Sequence, residues 1–242
     1  MIEWLDVAVL VAAAAGSAFQ VLSGIGFGLI ASPLLILALG REDGIRIVLI
    51  ISIVLNAVVL ARSIRFVRLG DTVRLLIPAA LLVVPAVFVL GSVHAPVLTV
   101  LAGAAVLFGT VLVARGRPLH WMLGRRGAVI TGAASGLLTA LTGVGGPPVA
   151  LFVSARRWSA AVARGTMQAF FLPLNVVTLI ALGPFVNGVS KLGWAVAGVV
   201  IGAVIALLFA GRISETLIRR TTLALAGVSA ASLVANGIVS LL

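Results

Sequence analysis

The chain has 242 residues, 62% hydrophobic and 10% charged, with a mean hydropathy of +1.31 and a formal net charge of +11. So little polar material cannot cover a water-soluble core, and the chain reads as an integral membrane protein. The lack of Cys excludes disulfides and thiolate metal sites, and the arginines sit in short loops rather than on one basic face, which excludes nucleic-acid binding.

The start, Met1-Ile2-Glu3-Trp4-Leu5-Asp6, is acidic and lacks the basic region of a signal peptide, so the first apolar segment is expected to be retained. That segment, residues 7–39, is interrupted by Leu22-Ser23-Gly24-Ile25-Gly26-Phe27-Gly28, with Pro33 shortly after. The second, 45–61, holds Asn56, and Arg62, Arg65, Arg68 and Arg74 follow, offset only by Asp71. The third, 75–92, contains Pro78 and Pro85, and a turn with His94 leads to the fourth, 97–114. Arg115, Arg117, Pro118, Arg125 and Arg126 mark the boundary between two membrane repeats, 1–118 and 119–242.

The second half follows the same plan. Residues 127–153 contain Leu141-Thr142-Gly143-Val144-Gly145-Gly146-Pro147-Pro148, and Arg156, Arg157 and Arg164 come next. Residues 165–182 hold Gln168, Pro173 and Asn175, and 192–210 follow Lys191. Arg212, Glu215, Arg219 and Arg220 precede the last segment, 221–241. A shift of 119 positions carries Leu22, Ser23, Gly24 and Gly26 onto Leu141, Thr142, Gly143 and Gly145, and Leu55-Asn56 onto Leu174-Asn175 without a gap. A polar Asn recurring in register with the Gly motif marks a duplicated unit.

Charge chooses between two threadings of these eight apolar segments. If all eight cross, loops 62–74 and 115–126 lie opposite 154–164 and 212–220, against the positive-inside bias. If each Gly-motif segment dips in and returns, six segments cross. All four loops, with 14 of the 17 basic residues, then share the cytoplasmic side. Arg41, Arg46, Lys191 and both termini are outside. Each half is then a re-entrant hairpin plus three crossings, and the odd number inverts one half relative to the other. The 27 residues of 127–153 are too few for two full spans. Split at the Gly motif, each arm has about 13 residues and reaches about 20 Å, past the midplane of a ~30 Å core. The expected fold is thus an all-α integral membrane protein of two inverted-topology repeats, in a bacterial inner membrane.

Broken backbone at membrane depth must be buried in protein or line a wet cavity. Gly24, Gly26, Gly28, Gly143, Gly145 and Gly146 free the backbone, and Pro147 and Pro148 suit the first turn of a new helix. Such a helix start, inside the membrane, is an anion site without a charged side chain. Close helix packing through small residues is the competing reading. Asn56 and Asn175 either donate to an anion or fasten the broken helix. Gln20, Ser23, Thr139, Thr142 and Gln168 are further candidates for a cavity wall. The spans are read as free of intramembrane charge, which leaves no proton relay. Arg46, Arg156 and Arg164 are candidates for drawing anions to a pore mouth. No metal-ligand cluster and no catalytic constellation is present, so neither a metal, a cofactor nor enzymatic activity is expected.

The paired Gly motifs resemble those of the TauE/SafE family, the sulfite-exporter-type permeases. The likeness spans essentially the whole chain, and Gly143-Val144-Gly145-Gly146-Pro147-Pro148 is its most specific part, while Phe27 stands where a Gly is common. The resemblance implies transport, often outward, of small sulfur anions such as sulfite, sulfoacetate or related sulfonates. Import of another small organic anion and a non-transporting scaffold are the alternatives. The expected partners are the anion, the lipid bilayer and, as an open candidate, further copies of the chain.

Overall fold

The computed structural model describes residues 3–23, 27–115, 120–185, 189–209 and 214–242. Among these, ten α-helices and no strand form: α1 (Trp4–Ser23), α2 (Phe27–Leu39), α3 (Arg41–Ser63), α4 (Leu69–Gly91), α5 (Ala95–Arg115), α6 (Arg125–Thr142), α7 (Gly146–Ala155), α8 (Ala160–Leu182), α9 (Leu192–Phe209) and α10 (Glu215–Val239). Seven are long and apolar enough to cross a bilayer: α1, α3, α4, α5, α8, α9 and α10. The other three belong to the Gly-motif segments. Pro33, Pro78, Pro85 and Pro173 lie within helices, as membrane helices tolerate where neighbours absorb the freed carbonyls.

The helix bounds repeat as the motif does. The 119-residue shift carries α3 onto α8 at both ends, the last residue of α1 onto that of α6, and the first residue of α2 onto that of α7. Packing follows the same correspondence. α3 and α8 run antiparallel, joined at one end by Arg46 to the Leu182 carbonyl at 2.6 Å. At the other end Gly165 lies so close to the Ser63 carbonyl that a Cβ would sit 2.6 Å from it. α5 and α10 also run antiparallel, Gly103 meeting Val234 and Gly237 meeting Val100. α1 packs parallel to α9, where Gly198 and Gly202 admit the carbonyls of Leu10 and Ala14. Their counterparts α6 and α4 do the same through Gly132 and Gly136, against Leu75 and Ala79.

Both Gly-motif segments fold back on themselves. Gly16 of α1 meets Phe27 and Ala31 of α2, and Gly145 meets Ser135 and Thr139 of α6. The arms are not the equal 13-residue pieces expected. α6 has 18 residues and α7 has 10, while α1 has 20 and α2 has 13. The entering arm is longer because it begins in polar flanking sequence, Arg125-Arg126 in α6 and Trp4-Leu5-Asp6 in α1, where backbone hydrogen bonding continues past the apolar stretch.

Specific contacts sort the loops. Asp71 Oδ1 lies 3.7 Å from Arg156 Nη1, the Arg68 amide donates to Thr166 Oγ1 at 3.1 Å, and the Arg68 guanidinium stacks over Trp158. These put the α7–α8 turn beside the α3–α4 loop. On the other face, Lys191 Nζ is 2.8 Å from both Glu3 Oε2 and Asp6 Oδ1, tying the α8–α9 connection to the N-terminus.

The spans are not free of charge, contrary to expectation. Arg41, Asp43 and Arg46 are 8%, 5% and 4% exposed, and Arg46 lies inside the second apolar segment itself. A guanidinium is accommodated there because it satisfies helix-end carbonyls: Arg46 donates to Leu182 and Gly183 at the end of α8 as well as to Asp43 and Glu42. Arg156 packs over the Phe152 ring at 4.8 Å and faces Asp71.

Candidate functional site

The α6–α7 break is built from short-range hydrogen bonds. Gly143 closes α6 with φ of 72°, a left-handed conformation that a Cβ disfavours, and its amide donates to the Thr139 carbonyl at 2.8 Å. Thr142 Oγ1 donates to the Leu138 carbonyl and accepts from the Val144 amide at 3.0 Å. Ser135 Oγ donates to the Gly145 carbonyl at 2.7 Å, and Ser32 Oγ of α2 donates to the Thr142 carbonyl, joining the two hairpins. α7 then starts at Gly146 with Pro147 in its first turn. Of its first four residues only Gly146 and Val149 carry an N–H, so the helix start offers fewer donors than an ordinary one.

The other hairpin meets this break directly. A Cβ on Gly28 would lie 3.1 Å from Val144. At the start of α2 the Phe27 amide donates to Gln20 Oε1 at 3.1 Å. Between the two breaks lies a cavity. Gly28 of one motif and Gly143, Gly145 and Gly146 of the other line it, together with Asn56, Gln168 and Asn175. It offers about 80 Å³ to the centres of water-sized spheres, where one water needs about 10–15 Å³, so several waters or one small oxyanion fit.

Helix periodicity explains the wall. Ser52, Leu55 and Asn56 form one face of α3, and Met167, Gln168, Phe171 and Asn175 one face of α8. Among the described residues the side chains of Asn56 and Asn175 make no hydrogen bond. Gln168 is 4% exposed, and its Oε1 has no partner among the described residues. Among the described residues no Asp, Glu, Lys, Arg or His lines the cavity. Its polar groups are neutral amides, a Ser hydroxyl and glycine backbone. Ile45 and Leu49, on the same helix as Ser52 and Asn56, are fully buried, with Leu141, Leu179 and Leu182 packed against their cluster.

Of the residues singled out in the sequence, Thr139, Thr142 and Pro147 do not line the cavity. Thr142 holds the turn and Pro147 packs against Gly109 of α5. Gly24 and Gly26 lie outside the described residues, and Ser23 is described in its backbone only. The sequence reading missed Phe27, Leu29, Val144, Met167 and Phe171 on the wall. Ser52 was findable, one turn before Asn56 on the same helical face, and Leu55 directly precedes Asn56.

A family model described as Sulfite exporter TauE/SafE matches residues 8–233. No curated protein and no solved structure matches the chain.

Proposed function

The chain belongs to the sulfite exporter TauE/SafE family, and from that premise we propose that it is a permease that exports small sulfur-containing anions such as sulfite, sulfoacetate or related sulfonates. The observation that carries the reading is the cavity where both Gly motifs meet, walled by Asn56 and Asn175, whose side chains make no hydrogen bond among the described residues, and by Gln168, whose buried Oε1 has no partner among them. Ser23, Gly24, Gly26, Gly28, Asn56, Gly143, Gly145, Gly146, Gln168 and Asn175 form the substrate site in this reading, with Thr142 and Pro147 shaping its turn. Amide and backbone N–H groups donate to the anion's oxygens, as hydrogen-bond donors do to oxyanions elsewhere.

The architecture proposed is two inverted repeats, 1–118 and 119–242, each a Gly-motif hairpin plus three crossings. Antiparallel packing of equivalent helices supports it. A two-fold that relates α3 to α8, and α5 to α10, runs across those helices and so lies in the membrane plane. The Asp71–Arg156 contact favours six crossings, because eight would separate the loops that hold these residues. The four basic loops then face the cytoplasm of a bacterial inner membrane, with both termini outside. A single Cys at Arg157, in a chain that has no other, is expected to react with an impermeant maleimide from the cytoplasmic face alone. Labelling from outside alone would remove the hairpin reading.

The membrane potential, negative inside, favours anion exit by about 2.3 kcal/mol per charge per 100 mV. Proteoliposomes loaded with sulfite or sulfoacetate are therefore expected to show flux that grows with an imposed potential and loses its direction when the potential is clamped to zero. A directional bias unchanged at zero potential sinks potential-driven export. Folded protein that moves no sulfur anion, but moves another small carboxylate inward, would make it an importer. Absence of any flux would leave a scaffold.

A further inference from the structure

We infer that Arg41 gives the cavity its preference for anions and ranks them by charge, a step that rests on the permease reading above. The amide wall cannot do this alone. Asn and Gln donate and accept equally, so they bind polar groups of either sign. Nor can the helix break. The hairpin brings the end of α6 and the start of α7 to the same tip, and their half-charges, about −0.5 and +0.5, oppose each other there.

Arg41 removes the negative half. Its Nη2 donates to the Ala140 carbonyl at 2.7 Å and its Nε to the Leu141 carbonyl at 3.2 Å, two of the carbonyls that the end of α6 leaves without helical partners. The residue is 8% exposed. Buried cations ordinarily face a carboxylate, and Arg46, Arg74, Arg156 and Lys191 each lie within 4 Å of one. Arg41 makes no such pair among the described residues. The charged groups near it are Glu42, Asp43 and Arg46 of its own helix, and Arg46 engages both carboxylates. α2 carries no charged residue, and the arginines of α6 and α8 lie at their opposite ends. Arg41 and Arg46 equal Glu42 and Asp43 in number, but both carboxylates are held by Arg46, so the end of this cluster that meets α6 is its positive one, behind carbonyls that are two and three residues from Gly143 of the cavity wall. The 119-residue shift puts Ala160 at the equivalent place in the second half, so the charge comes from one hairpin only. Arg41 touches no lining position and acts through the field at the tip. It is a positioning residue.

The test uses sulfite in proteoliposomes at a pH below and a pH above its second ionisation, so that one molecule is offered as a monoanion and then as a dianion. Among the described residues no titratable side chain lines the cavity. Arg41→Gln is expected to raise KM about 10-fold for the monoanion and about 100-fold for the dianion, because the energy lost scales with ligand charge. Arg41→Lys, which keeps the charge, is expected to keep the wild-type ratio of the two KM values. Loss of a helix cap alone would raise both KM values by one factor in Arg41→Gln, and that result overturns the inference while leaving the permease standing. If Arg41→Gln does not fold, Arg41→Lys decides: an unchanged ratio supports the assignment and a collapsed one overturns it. Wild-type protein that moves sulfite at neither pH overturns the permease reading and this inference with it.

Discussion

Gly146→Leu is expected to fold as the wild type does and to transport at least about tenfold more slowly, whereas Gly143→Leu loses stability as well as flux. The two glycines line the same cavity for different reasons. At Gly146 an added Cβ meets nothing within 4 Å, and the backbone is that of a helical first turn. A larger side chain there costs the protein no contact and occupies the space proposed for the anion. At Gly143 the backbone is left-handed, with φ of 72°, which costs an L-residue about 1–2 kcal/mol. Its Cβ would also press on Ile45 at 3.3 Å and Val48 at 3.4 Å, both fully buried. Thermal unfolding in detergent is then expected to fall by about 2–8 °C for Gly143→Leu. Flux and melting read together separate the two roles. Wild-type flux from folded Gly146→Leu would place the permeation path outside this cavity.

The break was legible in the sequence because glycine and proline interrupt an apolar run where nothing else explains them. The duplicated plan was legible because Asn56 and Asn175 stay in register with the motifs, and the helix bounds follow the same shift. Charge alone put the loops 62–74 and 154–164 on one side, and the Asp71–Arg156 contact joins them. The apolar part of the wall was not legible, since Phe27, Met167 and Phe171 sit in runs where every neighbour is also apolar and the lipid-facing side looks like the cavity side. The buried arginines escaped for another reason. Counting Arg41 and Arg46 as topology markers presumes that they face water, and their partners are carbonyls at the ends of α6 and α8, about 100 and 140 residues away in sequence. One local signal was present. Glu42 and Asp43 stand four and three positions before Arg46, the spacing of helical ion pairs.

Arg46→Leu is expected to destabilise the protein by about 3–5 kcal/mol, the usual result of removing one member of a buried ion pair. Arg46 Nη1 lies 3.1 Å from Asp43 Oδ1, and the same guanidinium donates to the carbonyls of Leu182 and Gly183. Leu replaces the volume but takes away the charge that balances Asp43, itself 5% exposed, and bares the end of α8. Because α3 and α8 supply Asn56 and Asn175 to opposite walls of the cavity, loosening this junction should also raise KM. Arg46→Lys keeps the charge and loses the planar fork, so it should fall between the two. Adding Asp43→Asn to Arg46→Leu should recover part of the loss, since the buried carboxylate charge is gone while the carbonyls stay bare. Equilibrium unfolding of the four proteins in one detergent measures all of this. A loss below about 1 kcal/mol for Arg46→Leu, the size found for exposed pairs, would mean that water reaches the cluster and that the apolar faces of α3 and α8 hold the halves together without it.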